Sequence, residues 1–92
     1  MNDDFSELAM CAVRYALGRM TYVSFSVPNA IMKYKWSVTT KAFHVMLRDI
    51  REYREVHGKI GMDCDDESWR NFEQWIDQEI KLRENNNTTK VS

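Results

Sequence analysis

Apolar residues recur at positions 5, 8, 9, 12, 13, 16, 17 and 20. That is the i, i+3, i+4 recurrence of a helix face, and it predicts a first helix over about residues 4–20. Cys11, Tyr15 and Tyr22 add a second, mixed stripe, so little is left for water except Glu7, Arg14, Gly18 and Thr21. A helix apolar on most sides is usually a central one. Asp4 and Glu7 have the spacing of a capping box at its start.

The pattern changes at residues 21–27, Thr-Tyr-Val-Ser-Phe-Ser-Val, which are β-branched, aromatic or small and polar. No second run of that kind exists to pair with them. A lone strand is not stable, so the segment reads as an extended linker. Pro28, the single proline, then stands where prolines open helices. A short helix is predicted over residues 28–35, with Ile31 and Met32 inward. Ser37, Thr39 and Thr40 are candidate N-caps for the next helix. Its stripe is Ala42, Phe43, Met46, Leu47, Ile50 and Tyr53, and Gly58 is a suitable stop, giving about residues 39–57. A last helix over about 66–84 carries Trp69, Phe72, Trp75, Ile76 and Ile80, with Leu82 or Arg83 completing the stripe. After Glu84 the Asn- and Thr-rich residues have no periodicity, and 85–92 reads as a disordered tail. The expected fold is all-α. It is a compact bundle of three long helices plus one short helix around a mostly buried N-terminal helix, forming a single domain over residues 1–84.

Composition supports a packed core. Ninety-two residues make a small domain, and three Trp, four Tyr, four Phe and six Met give it dense material. Cys11 and Cys64 do not form a disulfide framework. Asn2, Asp3 and Asp4 stand where a secretion leader would be basic. No apolar stretch reaches the ~18–20 residues of a membrane span. These features predict a cytoplasmic protein without a membrane partner.

Charge is unevenly placed. Leu8 to Arg48 holds six basic residues and no acidic one, whereas Asp49 onward holds eleven acidic and seven basic. The two halves either neutralise each other within the fold or leave a basic face for nucleic acid or an acidic protein surface. Arg14 and Arg19 must find acceptors if their helix is buried, because an unpaired buried charge is costly. The Asp63–Glu67 cluster could supply them; a bound phosphate is the alternative. Lys33-Tyr34-Lys35-Trp36, with Arg19 and Lys41 beside it in sequence, interleaves cations and aromatics. Stacking and charge act together in such segments, so these six residues are candidates for binding a partner or nucleic acid. The competing expectation is that Tyr34 and Trp36 pack on the core.

Catalytic chemistry has little support. The chain lacks a Walker loop, a GxGxxG turn and a paired Cys motif. His44 and His57 have no second pair to complete a zinc site. Asp63, Asp65 and Glu67 alternate as an EF-hand loop begins, but the sixth position is Ser68 and the twelfth is Gln74. No catalytic residue, metal or cofactor is expected.

Two stretches carry a resemblance. Cys11-Ala-Val-Arg-Tyr-Ala-Leu-Gly-Arg-Met-Thr-Tyr22 resembles a C-A-x-R-Y-x-x-G-R-x-T-Y signature in small uncharacterised proteins of bacteriophages and prophages. Gly61-Met-Asp-Cys-Asp-Asp-Glu-Ser-Trp69-Arg-Asn-Phe72 resembles the acidic loop and W-x-x-F segment near their C-termini. Met62 stands where such proteins often have another Asp. The resemblance implies a mobile-element origin and no particular mechanism. It suggests that Arg14 or Arg19 pairs with Asp63 or Asp65, since the two segments are complementary in charge. The expected function is that of a small non-enzymatic protein that binds and occludes a host protein or complex. A defence assembly such as a CRISPR effector would be one target. The alternative is a nucleic-acid-binding accessory protein using residues 19–41.

Overall fold

Every element found is helical. The computed structural model describes residues 2–17, 23–61 and 63–91, with side chains at 4–17, 26–61 and 65–85. Helices α1 (Asn2–Leu17) and α2 (Val23–Lys33) lead into a 3-10 turn (Lys35–Ser37), followed by α3 (Thr40–His57) and α4 (Asp63–Val91). There is no strand among the described residues. No helix among them is long and apolar enough to cross a membrane.

Three boundaries depart from the periodicity. First, Val23–Val27 is the opening of α2 rather than a linker; Thr21 and Tyr22 lie outside the described residues. β-Propensity is a weak preference that packing overrides. Here α2 packs against both α1 and α4, burying Ile31 to 3 % exposure. Pro28 is therefore inside a helix, not at its first position. Its missing N–H removes the bond to the Ser24 carbonyl. Second, α1 begins at Asn2, so Asp4 sits within the helix and the capping-box start is displaced. Residues 18–20 of the predicted helix are outside the description. Third, α4 continues to Val91, beyond the last stripe residue. Residues 62–92 contain neither Gly nor Pro, so nothing in the chain breaks the helix where the apolar pattern ends.

α3 follows its sequence closely. Thr39 is the N-cap, and its Oγ1 accepts from the Ala42 N–H at 3.1 Å. Gly58 ends the helix at φ +88°, a conformation that favours glycine, and donates its N–H to the Arg54 carbonyl at 2.7 Å.

The packing order follows from paired residues. Ser6 meets Thr39 and Arg14 meets Asp49, so α1 and α3 run parallel. Arg54 meets Asp66, Arg51 meets Glu73 and His44 meets Glu84, so α3 and α4 run antiparallel. α2 lies against α1 and α4. The core between them is Val13, Ala16, Ile31, Phe43, Met46, Ile50, Trp69, Phe72 and Ile76, all at 3 % exposure or less. Each fully buried large side chain is worth about 1.5–3 kcal/mol. Phe43 meets Trp75 edge to face, with centroids 5.6 Å apart. α4, at ~1.5 Å per residue, sets the long axis of the 45 × 25 × 20 Å molecule.

α1 does not have the all-round cover expected of it. Ala9, Val13, Ala16 and Leu17 are buried, but Leu8 is 64 % exposed, Tyr15 57 % exposed, and Cys11 lies on the surface between them. α1 packs against α2, α3 and the 3-10 turn, and among the described residues Leu8 and Cys11 remain on its surface.

Candidate interaction surface at the 3-10 turn

The corner between α2 and α3 is built by backbone first. Tyr34 closes α2 by donating its N–H to the Ala30 carbonyl at 3.0 Å. Ser37 N–H reaches the Tyr34 carbonyl at 3.0 Å, and Val38 N–H reaches that of Lys35 at 3.1 Å. Thr39 N–H then donates to the Ser6 Oγ at 2.9 Å, tying the corner to α1. A turn this short has few bonds of its own and needs support from outside.

Arg83 on α4 supplies it. One guanidinium nitrogen donates to the Val38 carbonyl at 2.7 Å and to the Thr40 Oγ1 at 3.4 Å. The other donates to the Lys35 carbonyl at 2.9 Å, and Nε donates to Glu79 at 3.1 Å. Its plane lies 4.8 Å from the centroid of Phe43. Glu79, 5 % exposed, also accepts from Lys35 Nζ at 3.4 Å. A planar fork with several donors suits this task, since a lysine could satisfy fewer carbonyls in fixed directions.

The clamp holds the turn's aromatics outward. Trp36 is 75 % exposed and Tyr34 52 % exposed, so neither packs into the core as the competing expectation had it. Lys35 Nζ stands 4.8 Å from the Trp36 centroid, and the Arg83 guanidinium 6.0 Å from it. Lys33 Nζ is 5.6 Å from the Tyr34 ring, which meets Phe5 edge-on at 6.1 Å. The structure thus gathers Lys33, Tyr34, Lys35 and Trp36 at one corner. Lys41 is exposed in the first turn of α3, beside the groove lined by Glu7 and Met10. Arg19 lies outside the described residues.

Arg14 has a different partner from the one its charge pattern suggested. Its Nε donates to the Asp49 carboxylate at 3.2 Å, across the α1–α3 seam, and its side chain stays 63 % exposed. The parallel packing of α1 on α3 sets this pairing, which replaces the expected link to the acidic loop. The Asp63 side chain lies outside the described residues; Asp65 is buried at 7 % exposure.

The acidic loop instead organises its own end of the bundle through Asp66. Its carboxylate accepts from Arg54, from Arg70 Nε at 2.7 Å and from the Ile60 backbone N–H at 3.0 Å. Burial raises the pKa of Asp66, but the hydrogen bonds from Arg70, Ile60 and Arg54 outweigh it and hold the group at about 2. Asp66 in turn raises the pKa of Arg70. Arg54 also reaches Glu73 at 3.4 Å.

The histidines have simple partners. His44 Nε2 is 3.2 Å from Glu84, and His57 lies against the Tyr53 ring with centroids 4.2 Å apart. No group of three His, Cys, Asp or Glu residues among those described is placed to hold a metal ion. A groove of about 420 Å³ between α2 and α4 is lined by Pro28, Met32, Phe72 and Trp75 with Asn29, Ser68 and Asn71.

Sequence reasoning set Arg83 beside Leu82 as the end of the α4 stripe but singled out neither Arg83 nor Glu79 as a functional residue. The signal was present: Arg83 falls three residues after Ile80 and four after Glu79, on the inward stripe, whereas Leu82 is 58 % exposed. Comparison with family models, with curated proteins and with solved structures found no match to this chain.

Proposed function

We propose that this chain is a non-enzymatic binding protein that docks on a host macromolecule through the 3-10 corner. One observation carries the reading: Trp36, 75 % exposed, sits on a turn that Arg83 fastens to α4 by two hydrogen bonds, to the Lys35 and Val38 carbonyls. A large aromatic held rigidly in solvent costs burial energy and is pre-organised for an interface, where Trp and Tyr serve as anchors. Glu79 pairs with both Lys35 and Arg83, so these two cations are partly neutralised. That favours a protein surface over a phosphate backbone as the partner. The resemblance to phage and prophage proteins extends the proposal to a bacterial cytoplasm and to occlusion of a host defence complex. This last step rests on analogy.

The test is a tagged pull-down from host lysate, with and without nuclease, using wild type and Trp36→Ala in parallel. The expected result is one dominant nuclease-resistant protein that Trp36→Ala fails to capture. Recovery only of nucleic acid, with binding that weakens steeply as salt rises, would transfer the function to the basic segment 19–41.

A further inference from the structure

We propose that the groove between α2 and α4 binds an extended, uncharged segment of a partner protein by its peptide backbone. The proposal rests on different residues from the Trp36 corner. The groove holds about 420 Å³, within the range of ligand sites. Its two walls repeat one arrangement. On α2, Asn29 is followed three residues later by Met32; on α4, Asn71 is followed four residues later by Trp75. Both spacings put the pair on one helix face. The asparagines are exposed, and Met32 and Trp75 are half-buried. Each wall thus carries a carboxamide beside an apolar side chain, and Phe72, 1 % exposed, adds a buried aromatic surface.

The chemistry of the lining selects the occupant. In a chain that is 29 % charged, no charged side chain lines this groove. A phosphodiester strand, a nucleotide or an acidic peptide would meet no counter-charge there. The walls offer neutral pairing instead. Neither carboxamide has a hydrogen-bond partner among the described residues, nor does the Ser68 hydroxyl on the α4 wall. A carboxamide has a C=O that accepts and an NH2 that donates, the complement of one peptide unit. An extended chain turns its N–H and C=O groups to both sides, and its side chains alternate above and below. Laid along the groove, such a segment meets a carboxamide at each wall and sends one apolar side chain onto Met32, Phe72 and Trp75. Carboxamides on two facing walls suit a chain with polar groups on both its sides better than a heterocycle read along one edge.

The experiment is an amide-detected NMR titration of the full isotope-labelled chain with a capped neutral peptide, serine–alanine–leucine–alanine–serine. The expected result is saturable shifts of the Asn29 and Asn71 side-chain amides and of the Trp75 indole N–H. Asn29→Ala and Asn71→Ala, at exposed positions that leave the fold intact by circular dichroism, should each weaken binding about fivefold. Replacing the leucine by aspartate, or N-methylating the backbone on both sides of it, should abolish the shifts. No saturable shift with the parent peptide overturns the proposal. So does undiminished binding of the N-methylated peptide, which would make the contact apolar only. Adenosine moving these signals where the peptide does not would overturn it in favour of a heterocycle. Trp36→Ala should leave the titration unchanged, so failure of the corner and failure of the groove read separately.

Discussion

The two ends of the bundle use the same chemical pair in opposite senses. At the 3-10 corner a cation gathers acceptors: Arg83 takes two backbone carbonyls, a threonine hydroxyl and Glu79. At the α3–α4 loop an anion gathers donors: Asp66 takes two arginines and the Ile60 N–H. The two results differ. Asp66 closes a loop over Ile60, which is 1 % exposed, so the loop residue whose backbone it holds is turned inward. Arg83 orders a turn whose largest side chain, Trp36, is turned outward. The corner spends the same interaction on an exposed aromatic, and the proposed docking role rests on that difference.

Removing the cationic hub should produce the largest effect. Arg83→Ala deletes every bond of the clamp and leaves Glu79 buried with Lys35 as its remaining cation. A loss of about 3 kcal/mol is expected, measured by urea unfolding. Amide hydrogen exchange at Ser37 and Val38 should speed up in the folded variant, because the turn loses its fastening. Arg83→Lys should recover part of the stability and little of the turn's order. Wild-type exchange rates at those amides in Arg83→Ala would show that the turn holds itself.

The anionic hub should come second. Asp66→Asn keeps an acceptor for Ile60 but loses the charge that draws Arg54 and Arg70, at a cost of about 1–2 kcal/mol. Its pH dependence is the sharper readout. The folded carboxyl titrates at about 2 against an ordinary value of 3.8. Protonation is therefore easier in the unfolded chain. The stabilisation is complete above the ordinary value and is lost as pH falls from there through about 2. Thermal melts across that window should show a steeper decline for wild type than for Asp66→Asn. Parallel curves would mean that Asp66 is not the group whose protonation weakens the fold.

Much of this was readable in the chain, and the misses share a cause. The stripes Ala42–Ile50 and Trp69–Ile80 located two helices, since large apolar residues at 3.6-residue spacing have few other uses. The stop at Gly58 was equally plain, being local, and the N-cap was narrowed to Ser37, Thr39 and Thr40, of which the structure uses Thr39. Residues 23–27 were misread because local β-propensity is smaller than the packing of α2 on two neighbours. Lys33 to Trp36 stood out by composition; the place of Arg83 on the inward stripe was legible too, but its bonds to the Val38 and Lys35 carbonyls, 45 and 48 residues away, have no sequence signature. Charge complementarity suggested a carboxylate partner for Arg14, on the premise of a buried helix face. It could not choose Asp49, because that choice depends on α1 and α3 running parallel.

The Arg14–Asp49 pair gives the smallest expected effect and sets the scale for both hubs. It is an arginine–carboxylate pair like the others, at 3.2 Å against 3.1 Å for Arg83–Glu79, but its arginine is 63 % exposed where Arg83 and Arg54 are each 17 % exposed. Solvent screens such a pair, and holding a long side chain in place offsets part of the attraction. Asp49 also keeps Arg48 at 3.6 Å when Arg14 is removed. Arg14→Ala and Arg14→Met should therefore both lie within about 0.5 kcal/mol of wild type, with Met the better tolerated because its stem still covers the groove beside Leu17 and Tyr53. Unfolding at two salt concentrations checks this, and the small difference should shrink further at the higher one. A loss for Arg14→Ala as large as that for Asp66→Asn would mean that burial of the arginine does not separate the ordering pairs from the surface one.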